Sequence, residues 1–184
     1  ADFNEDGYVQ SMDFSLLATN FNKSGEGLGG GGGALADQSV PTQEGTVHVN
    51  LDTPSSPVAE GEILTVGVRV VADNQVVDVA EVHLDFNALH LQVVDASGNP
   101  VDAIEGSGIL DVQLQNGVNN DEGEIDYAAG TFCTRPSGTF VLATIRFKVL
   151  EDTGEGSTPL VFVHQLPRKT DVNYAGSSVL ADAS

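Results

Sequence analysis

The fold class is decided by the stretch Val141-Leu142-Ala143-Thr144-Ile145-Arg146-Phe147-Lys148-Val149. Apolar side chains stand at every odd-numbered position, and Thr144, Arg146 and Lys148 lie between them. A period of two is the spacing of a β-strand that buries one face and exposes the other. The stretch therefore predicts a half-buried strand.

The same alternation returns at residues 64–70 and 82–86, and shorter apolar runs fill much of residues 45–184. Turn-forming residues separate these runs, as in Ser97-Gly98-Asn99-Pro100 and Pro136-Ser137-Gly138. No helical period of useful length appears among them. About nine short strands with such breaks predict an all-β, antiparallel β-sandwich.

The N-terminal run from Asp2 to Asp13 has the spacing of a twelve-residue calcium loop, with Gly7 at its sharp turn. Calcium prefers a shell of oxygen ligands, and oxygen donors recur here at the required positions. The predicted metal ligands are Asp2, Asn4, Asp6, the Tyr8 carbonyl and Asp13. An acidic surface loop without calcium is the alternative, and Asp instead of Glu at the twelfth position is its main support.

A short helix is expected directly after this loop, because Phe14, Leu16, Leu17 and Phe21 would share one side of it. The segment from Asp2 to about Phe21 resembles one repeat of a type I dockerin. The residues that carry the resemblance are Asp2, Asn4, Asp6, Gly7, Val9, Asp13 and the pair Leu16-Leu17.

Known dockerins have two such repeats, whereas this chain shows one. In dockerins, loop positions ten and eleven face the cohesin, and here these are Ser11 and Met12. The resemblance implies a Ca²⁺ cofactor. The expected partner-binding residues are Ser11, Met12, Phe14, Leu17 and Phe21.

A glycine run, Gly29 to Gly33, follows the predicted helix and is typical of a flexible tether. A phosphate-binding loop is excluded because no Lys-Ser or Lys-Thr pair follows the glycines. The predicted organisation is a calcium-binding half-module at 1–23, a linker at 24–44 and a β-sandwich at 45–184. Because the chain lacks an initiating Met and begins beside a predicted ligand, we expect a piece of a longer protein.

The sandwich region, from about Gly45 to Ser184, resembles a cohesin module. The resemblance is carried by the stretches 66–70, 84–89, 123–128 and 138–149. It implies a nine-stranded jelly-roll sandwich, a fold that cohesins share with a large superfamily of carbohydrate-binding modules. These motifs consist of core and turn residues, so they specify the fold better than the ligand.

The charge of the chain limits its partners. It carries 27 acidic and 7 basic residues, a formal net charge of −20. Such a balance repels phosphate backbones and anionic lipid, so we expect neither nucleic-acid binding nor membrane insertion. No apolar run approaches the ~18 residues that cross a bilayer.

Catalysis has little support in the sequence. The four histidines are scattered and each is expected on a strand surface, Glu124 and Asp126 fit a solvated strand edge, and Cys133 fits an inert, at least half-buried thiol. Sugar binding by stacking is weakened by the absence of Trp. The aromatic residues left for a sugar platform are Tyr127, Phe132, Phe140 and Tyr174.

These observations predict a non-catalytic, extracellular or cell-surface scaffold or adhesion module that binds proteins through a flat sheet face. The expected partner is a cohesin- or dockerin-bearing protein, or a second copy of the chain. The alternative is a carbohydrate-binding module of a polysaccharide-degrading or polysaccharide-attaching protein.

Overall fold

The structure is a computed structural model that describes residues 2–3, 5–21, 45–154 and 156–184. Asn4 and the predicted linker, 24–44, lie outside the described residues. The elements in chain order are one helix, α1 (Ser11–Asn20), and the strands β1 (Val47–Asp52), β2 (Ile63–Val71), β3 (Val79–Phe86), β4 (Leu91–Val93), β5 (Glu105–Gly106), β6 (Val112–Asn119), β7 (Glu124–Gly130), β8 (Thr139–Val149), β9 (Leu160–Phe162), β10 (His164–Gln165), β11 (Arg168–Lys169), β12 (Asp171–Tyr174), β13 (Ser177–Ser178) and β14 (Leu180–Ala183).

Two six-stranded sheets form a sandwich, which confirms the predicted all-β fold. The first sheet has the order β14-β1-β2-β8-β4, with β5 also paired to β8. The second has the order β13-β12-β3-β7-β6, with β9 also paired to β3. Neighbouring strands are antiparallel except β1 and β14, which run parallel. Strands β10 and β11 form a separate hairpin.

The apolar sides of both sheets meet in one core, whose largest fully buried side chains are Phe147, Leu84, Ile125, Leu142 and Ile145. Full burial of such a side chain contributes roughly 1.5–3 kcal/mol. Every member of this core lies within the sandwich, and α1 supplies none. The sandwich region therefore has a core of its own.

The alternation predicted for residues 141–149 is interrupted by a β-bulge. In the pairing of β2 with β8, Val68 lies opposite Ala143 and Arg69 lies opposite Val141, so Leu142 is the extra residue. Leu142 is consequently buried and Val141 is 40% exposed. The expected phase holds from Ala143 onward and is wrong at Val141, because a bulge shifts the strand by one residue.

Helix α1 begins three residues before the predicted Phe14. Its start is fixed by Asp13, whose Oδ2 accepts a hydrogen bond of 2.9 Å from the Gln10 amide. An acidic side chain in the first turn also interacts favourably with the helix dipole. Within the described part of the chain, no helix has the length and apolar character that a membrane crossing requires.

Candidate protein-binding face under the N-terminal helix

Helix α1 lies on the outer surface of the second sheet. Three neighbouring strands, β12, β3 and β7, present two rows of facing residues there, namely Asn173, Val79 and Gly130, and Asp171, Glu81 and Ala128. These side chains point away from the core because alternate residues of a strand face opposite sides. We call these rows, together with the adjoining Asp78, Phe132 and Gly176, the helix face.

The first residue of α1 is held by two polar side chains of the helix face. The Ser11 amide donates to Glu81 Oε2 at 3.1 Å, and the Ser11 hydroxyl accepts from Asn173 Nδ2 at 3.0 Å. All three residues are buried. A carboxylate at the amino end of a helix satisfies a free backbone N–H and interacts favourably with the dipole. Glu81 therefore anchors this end of α1.

One turn further, Ser15 makes the second anchor. Its hydroxyl accepts a hydrogen bond of 2.7 Å from the Gly176 amide and also bonds to the Asp78 carboxylate. Asp78 is fully buried, and burial raises the pKa of its carboxyl despite bonds from the Ala175 amide and Ser15 and the charge of Arg135. The docked helix thus covers an acidic group that is costly to ionise.

Aromatic contacts complete the docking. The Phe132 ring, just beyond β7, lies 4.9 Å from the ring of Phe14 and 4.6 Å from that of Phe21, centroid to centroid. Phe14 rests directly on Gly130, where even a Cβ atom would overlap its ring. The glycine therefore leaves the space that the Phe14 side chain occupies.

A buried histidine links the helix face to the rest of the sheet. His83 is 2% exposed, and its ring nitrogens lie 2.9 Å from Glu81 Oε1 and 2.6 Å from Asp126 Oδ1. Burial opposes its protonation, but these two carboxylates outweigh burial and raise its pKa to about 9. The imidazole is therefore charged at neutral pH.

The pKa values of the two carboxylates beside His83 are shifted downward. Burial alone would raise the pKa of Glu81, but hydrogen bonds from His83 and Ser11 lower it below its ordinary value. Burial of Asp126 is likewise outweighed by bonds from His83 and Arg168, so its pKa is lowered too. The Glu81 side chain that accepts the hydrogen bond from the Ser11 amide of α1 is therefore an ionised carboxylate.

Arg168, on the β10–β11 hairpin, ties three acidic residues of the sheet together. Its guanidinium lies 2.7 Å from Asp85, 2.9 Å from Glu124 and 2.8 Å from Asp126. Glu124 and Asp126 are thus members of an ion-pair network, where the sequence suggested a solvated edge. Arg168 is what allows these carboxylates to lie side by side.

The predicted partner-binding residues take different positions. Ser11 is buried against the helix face, Phe14 and Met12 are half-buried, and Leu17 and Phe21 are 39% and 53% exposed. Their role toward another protein stays a prediction. The side of α1 that is most buried was not anticipated: it carries Ser11, Ser15 and Ala18, whose small size lets the helix approach the sheet. Their spacing of four and three residues was the available signal.

The predicted calcium loop is described except for Asn4. Asp2 Oδ2 accepts from the Gly7 amide and Asp6 Oδ1 from the Tyr8 amide, each at 2.9 Å, while Asp13 accepts from the Phe3 and Gln10 amides. Asp2 Oδ1 is buried and has no hydrogen-bond partner among the described residues. Those residues contain no group of three or more His, Cys, Asp or Glu side chains arranged to hold a metal ion. Calcium binding therefore stays a prediction.

The residues that the sequence suggested for sugar stacking, and the thiol and histidine considered for catalysis, have other positions in the fold. Tyr127, Phe140 and Tyr174 are buried, so they cannot stack on a sugar, and Phe132 contacts the helix. Cys133 is exposed, contrary to expectation, because it follows the end of β7 in a surface loop. His83 is buried, also contrary to expectation, because the carboxylates beside it compensate its charge.

Comparison with known proteins shows the family. The model of the cohesin domain matches residues 47–178, which is most of the chain. The chain belongs to the cohesin family. Cohesin domains are non-catalytic modules of protein–protein interaction, so this membership confirms the prediction that the chain is not an enzyme. The match begins at residue 47, and the dockerin-like repeat before it stays a prediction.

Several solved structures with a similar fold are type II cohesins. A type II cohesin domain from the cellulosome of Acetivibrio cellulolyticus has a TM-score of 0.61 at 17% identity, over 76% of this chain and 91% of that one. Type II cohesin A11 from Bacteroides cellulosolvens has a TM-score of 0.58 at 16% identity, over 74% and 95%.

A third similar structure is a cohesin within a type II cohesin–X–dockerin complex from Acetivibrio cellulolyticus, with a TM-score of 0.59 at 17% identity, over 75% and 93% of the two chains. Among curated proteins, none matches the chain.

Proposed function

We propose that this cohesin binds a dockerin-bearing protein through the helix face. The observation that carries the proposal is that the helix face already holds a helix, α1, by side chains that point out of the sheet. A surface that positions one helix by Glu81, Asn173 and the Gly176 amide offers the same donors and acceptors to a helix from another protein.

The family supports the identity of the partner. The complex from Acetivibrio cellulolyticus pairs a type II cohesin with a dockerin, and another similar structure is a dockerin–cohesin complex. The relatives named as cellulosome and scaffoldin modules support an extracellular or cell-surface location for this chain as well. A polysaccharide partner has less support, because the candidate stacking residues are covered.

The test is binding of type I and type II dockerins to the isolated sandwich, residues 45–184, whose core needs no side chain of α1. Ala128→Arg places a charged side chain in the centre of the helix face, and Thr65→Arg places the same side chain on the exposed side of β2 in the first sheet. We expect a dockerin to bind the sandwich, Ala128→Arg to weaken binding at least tenfold and Thr65→Arg to leave it unchanged. Binding that both substitutions affect equally, or no binding of either dockerin type, would contradict the proposal.

We further propose that residues 2–13 bind Ca²⁺. Asp2 Oδ1, which is buried and has no hydrogen-bond donor among the described residues, supports this proposal, because such an oxygen is costly unless a cation compensates it. Asp2, Asn4, Asp6, the Tyr8 carbonyl and Asp13 would hold the ion, and Gly7, with a φ of 91°, makes the turn that a loop of this type needs. Bound calcium would supply positive charge where these carboxylates crowd.

Calorimetric titration of the full chain with Ca²⁺ tests this second proposal. We expect binding in the range of about 10⁻⁷–10⁻³ M. Asp2→Asn should abolish it, and Asp121→Asn, in the hairpin turn between β6 and β7, should not. Equal calcium affinity of both variants would place the ion elsewhere.

A further inference from the structure

The contact between α1 and the helix face has the properties of a reversible interface. The sandwich core contains no residue of α1, so the helix can leave without opening the core. Ser11, Ser15 and Ala18 bury little apolar area, and of the two rings that contact Phe132, Phe14 is half-buried and Phe21 is 53% exposed. A single hydrogen bond adds little net free energy, because the same groups bond to water when the helix leaves. Docking of α1 is therefore weak compared with the packing of the sandwich.

Polar pairing under the helix is also incomplete. Among the described residues, Asn173 Oδ1, Asp78 Oδ1 and Thr19 Oγ1 are buried without a hydrogen-bond partner. A buried polar atom without a partner is costly, because it loses the hydrogen bonds that it made to water. Incomplete pairing of this kind lowers the free energy of docking and favours exchange.

The helix covers only part of the surface on which it lies. A groove of about 320 Å³ runs between α1 and the sheet, with Leu17 on one side and Leu114 of β6 on the other. Both leucines are about two-fifths exposed, at 39% and 41%. A ligand that filled this groove as well would bury more apolar area than α1 does.

We propose that α1 is an intramolecular ligand of the helix face, which must leave before a partner's helix binds there. The inference rests on the proposed function and adds a regulated state to it. The partner segment has the chemistry of α1: hydroxyl side chains one turn apart for Asn173 and the Gly176 amide, and an aromatic ring between them for the seat at Gly130. A covalently joined segment competes at an effective concentration on the order of millimolar, so it masks the face against weak partners.

The probe for this proposal is a synthetic peptide of residues 2–21, titrated to millimolar concentration into the ¹⁵N-labelled full chain with and without calcium. The amide resonances of residues 79–83 and 128–130 report binding at the helix face. Ser15→Arg places a long charged side chain between α1 and Asp78 and should release the helix while leaving the face intact. Asn20→Arg adds the same charge at an exposed position in the last turn of α1 and is the matched control.

We expect the peptide to bind Ser15→Arg about tenfold more tightly than it binds the unmodified chain or Asn20→Arg. In the Ser15→Arg chain, Gly130→Ala should then lower the affinity for the peptide, because a Cβ atom at this position overlaps the Phe14 ring. Gly117→Ala on β6 adds a Cβ atom that meets open space, so it should leave the affinity unchanged. Equal peptide affinity for the unmodified chain and Ser15→Arg, or no binding to Ser15→Arg, would overturn the proposal. Dockerin binding to residues 45–184 is measured separately, so failure of the proposed function is distinguished from failure of this one.

Discussion

The imidazole of His83 should make the free energy of unfolding depend on pH between neutral and alkaline values. Its pKa of about 9 lies above the ordinary 6.5, so its stabilising contribution is fully present below pH 6.5 and is lost as the pH rises through about 9. The pKa values of Glu81 and Asp126 are lowered, so their contributions are present above the ordinary values of 4.5 and 3.8 and are lost as the pH falls further. Arg168, with its other partners Asp85 and Glu124, keeps its charge throughout.

We expect His83→Gln to destabilise the chain most near pH 6. The difference in unfolding free energy between the unmodified chain and the variant should shrink by roughly 1–3 kcal/mol between pH 6 and pH 10. Urea unfolding followed by circular dichroism across this range measures it. His48→Gln, at an exposed position of β1, makes the same replacement away from Glu81 and Asp126 and is the control. A flat difference for His83→Gln would mean that the imidazole is neutral in the folded chain.

Arg168 should contribute more to stability than another paired arginine of the sandwich. Arg168→Met removes the cation from Asp85 and Glu124 and leaves Asp126 paired with His83 alone, so it should cost roughly 1–3 kcal/mol. Arg146→Met breaks a single pair with the largely exposed Glu105 and should cost about 0–1 kcal/mol. Chemical denaturation of both variants at low and high salt compares them. Equal losses would show that the three acidic residues are adequately solvated without Arg168.

The two ends of the described chain should differ in what they contribute to the sandwich. Helix α1 adds no residue to the core, whereas β14 pairs with β1 and places Ala183 in the core. Removal of residues 1–44 should leave a cooperative β-protein with a melting temperature within several degrees of the full chain. Removal of residues 180–184 exposes an edge of β1 and should lower the melting temperature much more. Thermal unfolding of both truncated chains gives the comparison, and a larger loss from residues 1–44 would make α1 part of the cooperative unit.

The strands of the sandwich could be predicted from the sequence because their burial is local and periodic. Residues 143–149 alternate as expected, since each side chain simply faces the core or the solvent. The bulge at Leu142 could not be predicted, because it depends on the pairing of β8 with β2. The length and approximate place of α1 were also predictable, since a loop and a capped helix are local features.

The sequence predicted only part of the docking side of α1. Hydrophobicity points to Phe14, Leu17 and Phe21, of which Phe14 and Phe21 do contact Phe132, but it gives no sign of the polar anchors at Ser11 and Ser15. Those anchors depend on Asn173 and the Gly176 amide, which only the fold places under the helix. His83 and Arg168 were missed for a related reason. Their charged partners lie up to 83 residues away in the chain, as Asp85 does from Arg168, and only the fold brings them together.

For the chain as a whole, calcium binding and helix docking should be thermodynamically linked. The Asp13 carboxylate accepts hydrogen bonds from the Phe3 and Gln10 amides, and the adjoining Ser11 amide donates to Glu81. Order in the loop thus places the first turn of α1 where the helix face binds it. If docking favours the ordered loop, calcium must favour docking by the same factor. We expect the full chain to bind Ca²⁺ at least about fivefold more tightly than the peptide of residues 2–21 does.

The net charge of −20 attracts calcium by itself, so the comparison with the peptide needs a control in which only docking changes. Ser15→Arg and Asn20→Arg alter the charge of the full chain equally, but only the first should release α1. Calorimetry at one fixed ionic strength should therefore give a calcium affinity close to that of the unmodified chain for Asn20→Arg and close to that of the peptide for Ser15→Arg. Equal affinities for the two variants would attribute any gain over the peptide to long-range attraction and would separate calcium binding from the occupation of the helix face.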